Sequence, residues 1–172
     1  GVNQMDINGE AYVQRRVVAA AKPNEALTIF DVGANLGDWT QMLIDHMRPA
    51  KEQAGIWVFE PTPLSFERVR TRFEGDSNVR CIPLALSNTS GPDRLMMASA
   101  TGGTNSLSFD DALERQAYAV MEIEKTTAVE FCESHGIEHV HLLKCDTEGH
   151  DLRVIEGANP LLAAESIDVL QF

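Results

Sequence analysis

The stretch Ile29-Phe30-Asp31-Val32-Gly33-Ala34-Asn35-Leu36-Gly37 constrains the fold more than any other part of the chain. An apolar run ends on an acid and opens at once into a loop carrying two glycines. Such a run reads as a buried strand, and the glycines offer positive φ and no Cβ, so backbone can come close to a ligand. The segment from Asp38 to Arg48 then places Trp39, Met42, Leu43 and Met47 at roughly helical spacing. Strand, glycine loop and helix make the first unit of a nucleotide-binding α/β fold. An ordinary strand-to-helix turn containing Asp-x-Gly is the plainer alternative.

The position of Asp31 narrows the ligand. A dinucleotide site uses Gly-x-Gly-x-x-Gly and rests a pyrophosphate on the helix N-terminus, where an acid just ahead of the first glycine repels it. The third glycine of that pattern is also missing here. S-adenosylmethionine carries no phosphate, and its sulfonium and amino groups are cationic, so an acid at the strand tip favours it over NAD. A second acid, in Trp57-Val58-Phe59-Glu60-Pro61, ends another apolar strand. It lies about 30 residues after the glycine loop, where a carboxylate accepts ribose hydroxyls. NAD sites use the same device, so Glu60 points to adenosine without choosing the cofactor; the alternative is that it simply ends an exposed strand.

Helix and strand signals alternate with short gaps, the pattern of a mostly parallel sheet covered on both faces. The expected order starts with a helix over 10–22, a strand over 27–32, the helix from 38, a strand over 55–60 and a helix opened by Pro63 near Thr62. A strand over 79–84 follows, then one over 140–146, a helix over 151–156 stopped by Gly157, and a last strand from 167 to 172. Residues 88–118, rich in Gly, Ser and Thr, are too long for a plain connection. They predict an irregular insertion holding a small antiparallel excursion or a lid over the site.

A third motif is Leu142-Leu143-Lys144-Cys145-Asp146-Thr147-Glu148-Gly149-His150-Asp151. An apolar strand ending on Asp146 brings two acids and an imidazole into the crevice above the sheet. Asp146, Glu148 and His150 could serve as general base, as substrate anchors or as metal ligands. Asp-x-Glu-x-His does not fix a metal by itself, and no metal is assigned. Glu148 and Asp151 have a structural alternative, complementing the N-terminus of the next helix. Lys144, inside an apolar strand, needs a carboxylate partner, and a structural ion pair is its expected role.

Composition sets outer limits. A chain of 172 residues, 44% hydrophobic, carries enough apolar sequence for one core, so residues 1–172 read as a single domain. The formal charge of −12 argues against nucleic acid or an anionic membrane as partner, because both bind through Lys/Arg clusters. No apolar stretch approaches the roughly 20 residues of a membrane helix. Cys81, Cys132 and Cys145 show no metal-ligand or Cys-x-x-Cys spacing and read as reduced core thiols of a cytoplasmic protein. His46, His135, His139 and His141 lie outside the motifs and read as surface or sheet-edge residues. The opening Gly1-Val2, without Met, reads as a trimmed or tagged end.

Together, Asp31-Val32-Gly33-Ala34-Asn35-Leu36-Gly37, Phe59-Glu60-Pro61 and Lys144-x-Asp146-x-Glu148-Gly149-His150, followed by Gly157-Ala158, resemble the FkbM family of methyltransferases. Thr126-Thr127 and Asn105-Ser106 resemble it too. The resemblance implies a class I, Rossmann-like methyltransferase fold, a three-layer sandwich. It also implies transfer of a methyl group from S-adenosylmethionine to a hydroxyl oxygen of a sugar or secondary metabolite. On this reading Asp31, Gly33, Asn35 and Gly37 hold the methionine end of the cofactor and Glu60, with Pro61, its ribose. Adenine lies by Ala85, Leu86 and Ser87. Asp146 leads on the acceptor side, with Glu148 and His150 behind it. Two further C-terminal strands, and an acid after Gln171-Phe172, belong to the family pattern and are expected beyond this chain. The alternatives are a Rossmann-type oxidoreductase and a non-catalytic module that kept the fold.

Overall fold

The computed structural model describes residues 9–22, 26–47, 54–97, 105–106 and 119–172. Along the chain run α1 (Glu10–Ala20), β1 (Leu27–Val32), α2 (Asp38–Met47), β2 (Ala54–Phe59), α3 (Pro63–Arg72) and β3 (Val79–Ile82). Then come β4 (Ala85–Leu86), β5 (Gly91–Met97), β6 (Asn105–Ser106), β7 (Ala119–Thr126), α4 (Ala128–His135), β8 (Leu142–Cys145), α5 (Asp151–Ala163) and β9 (Leu170–Gln171).

Strands β3-β2-β1-β8-β9 form one sheet in that order, every pair parallel. Alternate residues of β1 face opposite layers. Leu27 and Ile29 meet Val17 and Val18 of α1 and Leu43 and Met47 of α2, while Phe30 and Val32 meet Phe131 of α4 and Val154 and Ala158 of α5. Both faces are therefore dry, which is why the strand reads as a continuous apolar run. Helices on both faces of a parallel sheet make the expected three-layer α/β fold.

The second sheet, β4-β7-β5-β6, is the antiparallel excursion expected in the insertion, with β5 antiparallel to both β7 and β6. It is larger than expected, because β7 recruits Ala119–Thr126 and β4 leaves the main sheet to pair with it. The strand expected over 79–84 accordingly stops at Ile82. The lid expectation falls on residues 98–104 and 107–118, outside the described residues.

Other boundaries differ for local reasons. Helix α5 does not stop at Gly157 but runs on through Pro160 to Ala163. Gly157 serves there as a contact, since a Cβ on it would overlap the backbone carbonyl oxygen of Ser87. The last strand is confined to Leu170–Gln171, preceded by an isolated bridge between Val140 and Ile167, so the strand expected over 140–146 is also shorter. Thr127 caps α4, its Oγ1 accepting the Glu130 N–H at 3.0 Å. Among the described residues no helix is long and apolar enough to cross a membrane.

Candidate active site

Strand order reverses between β1 and β8, and the crevice outside the carboxyl ends of the strands at such a point is where open α/β sheets bind ligands. A cleft opens there. It is bordered by residues from β1, β2, the β8 turn and the second sheet.

The glycine turn forms one wall. Gly33 and Ala34 both donate their N–H to the Phe59 carbonyl, at 3.1 and 3.2 Å, which folds the chain across the end of β2. Gly33 has φ +76°, and a Cβ on it would overlap the carbonyl oxygen of Asp146. Only glycine lets the tips of β1 and β8 come this close. Asn35, at φ +51°, donates its N–H to Glu60 Oε2 at 2.9 Å. Glu60 Oε1 accepts the Thr62 N–H at 2.9 Å. Burial pushes the Glu60 carboxyl above its ordinary range, against the downward pull of the Thr62 side chain and these backbone donors.

Asp31 has no exposed surface and is absent from the cleft lining. Its register partner across the β1–β8 ladder is Lys144, whose Nζ donates to Asp31 Oδ1 at 3.0 Å and to the Gly33 carbonyl at 3.1 Å. Thr40 of α2 donates to Asp31 Oδ2 at 2.6 Å. Burial alone would lower the Lys144 pKa, but the Asp31 carboxylate beside it holds it above the usual lysine value. The ion pair expected for Lys144 is therefore present, and its partner is the acid of the glycine motif. Gly37 also faces away from the cleft: a Cβ on it would sit 2.6 Å from Phe73.

The turn after β8 forms the opposite wall. Asp146 donates its N–H to the Val32 carbonyl at 3.1 Å, leaving its exposed side chain at the mouth. Glu148, also exposed, has φ +54°, which costs a side-chain-bearing residue of order 1 kcal/mol and marks a constrained turn. Among the described residues no hydrogen bond reaches either carboxylate. Asp151 clasps the turn from α5, its Oδ1 accepting from the Thr147 N–H at 2.9 Å, Thr147 Oγ1 at 2.8 Å and Cys145 Sγ at 3.2 Å. Burial would raise the Asp151 carboxyl, but these donors outweigh it and hold it below the usual range. Burial, reinforced by Asp151, pushes the Cys145 thiol far up; Cys132 is raised to about 11 by burial, so both are inert as nucleophiles.

His150 is almost wholly buried, and its Nε2 pairs with Ser87 Oγ at 3.0 Å. Ser87 itself is fully buried behind the cleft, whereas Ala85 and Leu86 border it. The structure thus gathers Gly33, Asn35, Glu60, Pro61, Ala85 and Leu86 around one space together with Asp146, Glu148 and His150. It leaves Asp31, Gly37 and Ser87 outside that lining. Thr62, Ser65 and Leu95 line it without having been singled out in the sequence. For Thr62 a signal existed, a hydroxyl close behind an acid at a strand end; Ser65, inside α3, and Leu95, from the second sheet, gave none.

One histidine cluster lies at the far end of the sheet. Donor atoms of His139, His141 and Asp168 fall within 4.8 Å of one another. The Thr28 N–H, however, donates to His141 Nδ1 at 2.9 Å. In the neutral ring that puts the proton on Nε2, the tautomer that leaves no lone pair for a cation.

The sequence profile of the methyltransferase FkbM domain matches residues 31–172. Hexuronic acid methyltransferase AglP of Haloferax volcanii is 27% identical over 169 residues, covering 96% of this chain and 63% of that protein. The chain therefore spans less than two thirds of the length of this relative. A solved structure of an uncharacterized protein from Burkholderia thailandensis aligns at 12% identity and a TM-score of 0.37, over 92% of this chain and 45% of that one. With the glycine turn, the strand-end acid and the turn after β8 all inside the matched region, the chain belongs to the methyltransferase FkbM domain family.

Proposed function

We propose that this chain binds S-adenosylmethionine in the cleft and methylates a hydroxyl oxygen of a sugar, with residues 1–172 acting as one methyltransferase domain. The observation that carries the reading is the convergence on one cleft of a glycine turn with no side chain, a buried strand-end carboxylate and two exposed acids. The residues fit the cofactor chemically. Each oxygen of Glu60 accepts one backbone N–H, and the carboxylate at the cleft wall is the acceptor suited to ribose hydroxyls. Ala85, Leu86 and Leu95 offer an apolar bed for adenine. The Gly33 turn lets backbone approach the methionine end. The name of the Haloferax volcanii relative supports a sugar as the acceptor class.

When bound, S-adenosylmethionine supplies a methyl group on a cationic sulfur that departs as a neutral thioether. The chain's contribution is mainly alignment of the acceptor oxygen, which is worth far more than any single group. Asp146 holds the acceptor hydroxyl and takes up its proton as the new oxygen–carbon bond forms, a role worth about 10²–10⁴ in rate. Glu148 orients a neighbouring hydroxyl. The cytoplasm is the proposed location, supported by three free cysteines.

Calorimetry with S-adenosylhomocysteine tests the cofactor, with NADH as control. The wild type is expected to bind it and not NADH. Glu60→Gln, which replaces one acceptor oxygen by a donor, is expected to weaken it by about tenfold or more. Asp146→Asn is expected to leave binding intact and lower kcat by about 10²–10⁴. A folded wild type that ignores S-adenosylhomocysteine overturns the reading.

A further inference from the structure

His150 has the side chain of a general base, but its surroundings fit another task. Its ring is buried at the start of α5, and Nε2 is engaged by Ser87 Oγ at 3.0 Å. Ser87 follows directly on β4, whose residues Ala85 and Leu86 border the cleft. His150 closes the turn that carries Asp146 and Glu148. The pair therefore joins the two walls of the cleft across 63 residues of sequence. Two more contacts link the same elements: Gly157 packs against the Ser87 carbonyl, and Asn88 Nδ2 donates to Glu156 Oε2 at 2.8 Å. Neither contact uses the His150 side chain.

We propose that His150 is a positioning residue which, through Ser87, sets the acceptor-side turn relative to the strand end that borders the adenine side of the cleft. This rests on the cofactor reading above. Imidazole suits the task because its Nε2 reaches the Ser87 hydroxyl from the start of α5. Ser87 contributes to cofactor binding without touching the cofactor.

The test is a double-mutant cycle in the Kd for S-adenosylhomocysteine, with thermal unfolding run beside it. Gln places an amide nitrogen close to the position of Nε2, so His150→Gln keeps a bond to Ser87 but cannot carry a proton between pH 5 and 8. Expected are losses of roughly three- to tenfold for His150→Ala and for Ser87→Ala, the net worth of one hydrogen bond. The double variant should be no weaker than either single one, and His150→Gln should stay within about twofold of wild type. With an acceptor in hand, His150→Gln should also keep the wild-type pH–rate profile. Additive losses, an unaffected Ser87→Ala, or a His150→Gln as impaired as His150→Ala would each overturn the proposal. Absence of binding by the wild type itself overturns the cofactor reading instead.

Discussion

Asp31 lies buried at the tip of β1 and does not border the cleft. An acid at the tip of the first strand suits a cationic cofactor, yet here its two oxygens are taken by Lys144 and Thr40. The decisive information is the β1–β8 register, which sets Asp31 beside Lys144. Register between strands more than a hundred residues apart has no local signature. Energetics follow from burial: removing one partner strands a desolvated charge and typically costs about 3–5 kcal/mol, whereas replacing both can be nearly neutral. Lys144→Met is expected to lose stability in that range in urea unfolding, and Asp31→Asn with Lys144→Met to recover most of it. The pH dependence has a definite sign. A lysine raised above its ordinary 10.5 in the folded state contributes fully below that value, and its contribution is lost as pH rises through the folded value. The urea midpoint of the wild type should therefore fall above about pH 10.5, and that of the double variant should fall less.

At the scale of elements, β1, β2 and β8 are legible because each is a largely buried apolar run with an acid at or just past its carboxyl end, so apolar run and motif coincide. Strand β7 falls outside the expected element order, although its alternation of Met121 and Ile123 against exposed Glu122 and Glu124 is the period of a half-buried strand. Gly157 predicts the end of the helix over 151–156 because glycine commonly ends helices. In α5 that glycine answers a tertiary demand, the Ser87 carbonyl pressed against the helix, which no local pattern announces. The contact yields a test. In a free helix Gly→Ala gains about 1 kcal/mol. Gly157→Ala is expected instead to destabilise by about 1–3 kcal/mol, because overpacking against backbone outweighs propensity. A stabilised variant in thermal unfolding would show that α5 can move off the second sheet at little cost.

At the scale of the whole molecule, the cleft exists because two sheets with different neighbours meet at the point where strand order reverses. Motif residues at the ends of β1, β2 and β8 could be assigned to one crevice from sequence, since parallel strands all present the same end. Leu95 could not, because it reaches the cleft only through β5 pairing with β7. The two sheets should also differ in opening. β1 lies between two parallel neighbours under helices on both faces, while β5 has a full-length neighbour on one side only, in β7, and a short pairing with β6 on the other. Native-state hydrogen exchange should find its slowest amides in β1 and β2 and faster ones in β5. Equal protection of both sheets would mean that they open as one unit. The buried Asp31–Lys144 pair carries a consequence of another kind. Either exchange alone crosses a fitness valley several kcal/mol deep, while the far side, two neutral residues, lies nearly level with the start. Drift at these two positions is thus locked into joint steps, and descendants holding half of the pair are expected to be purged before the second change arrives.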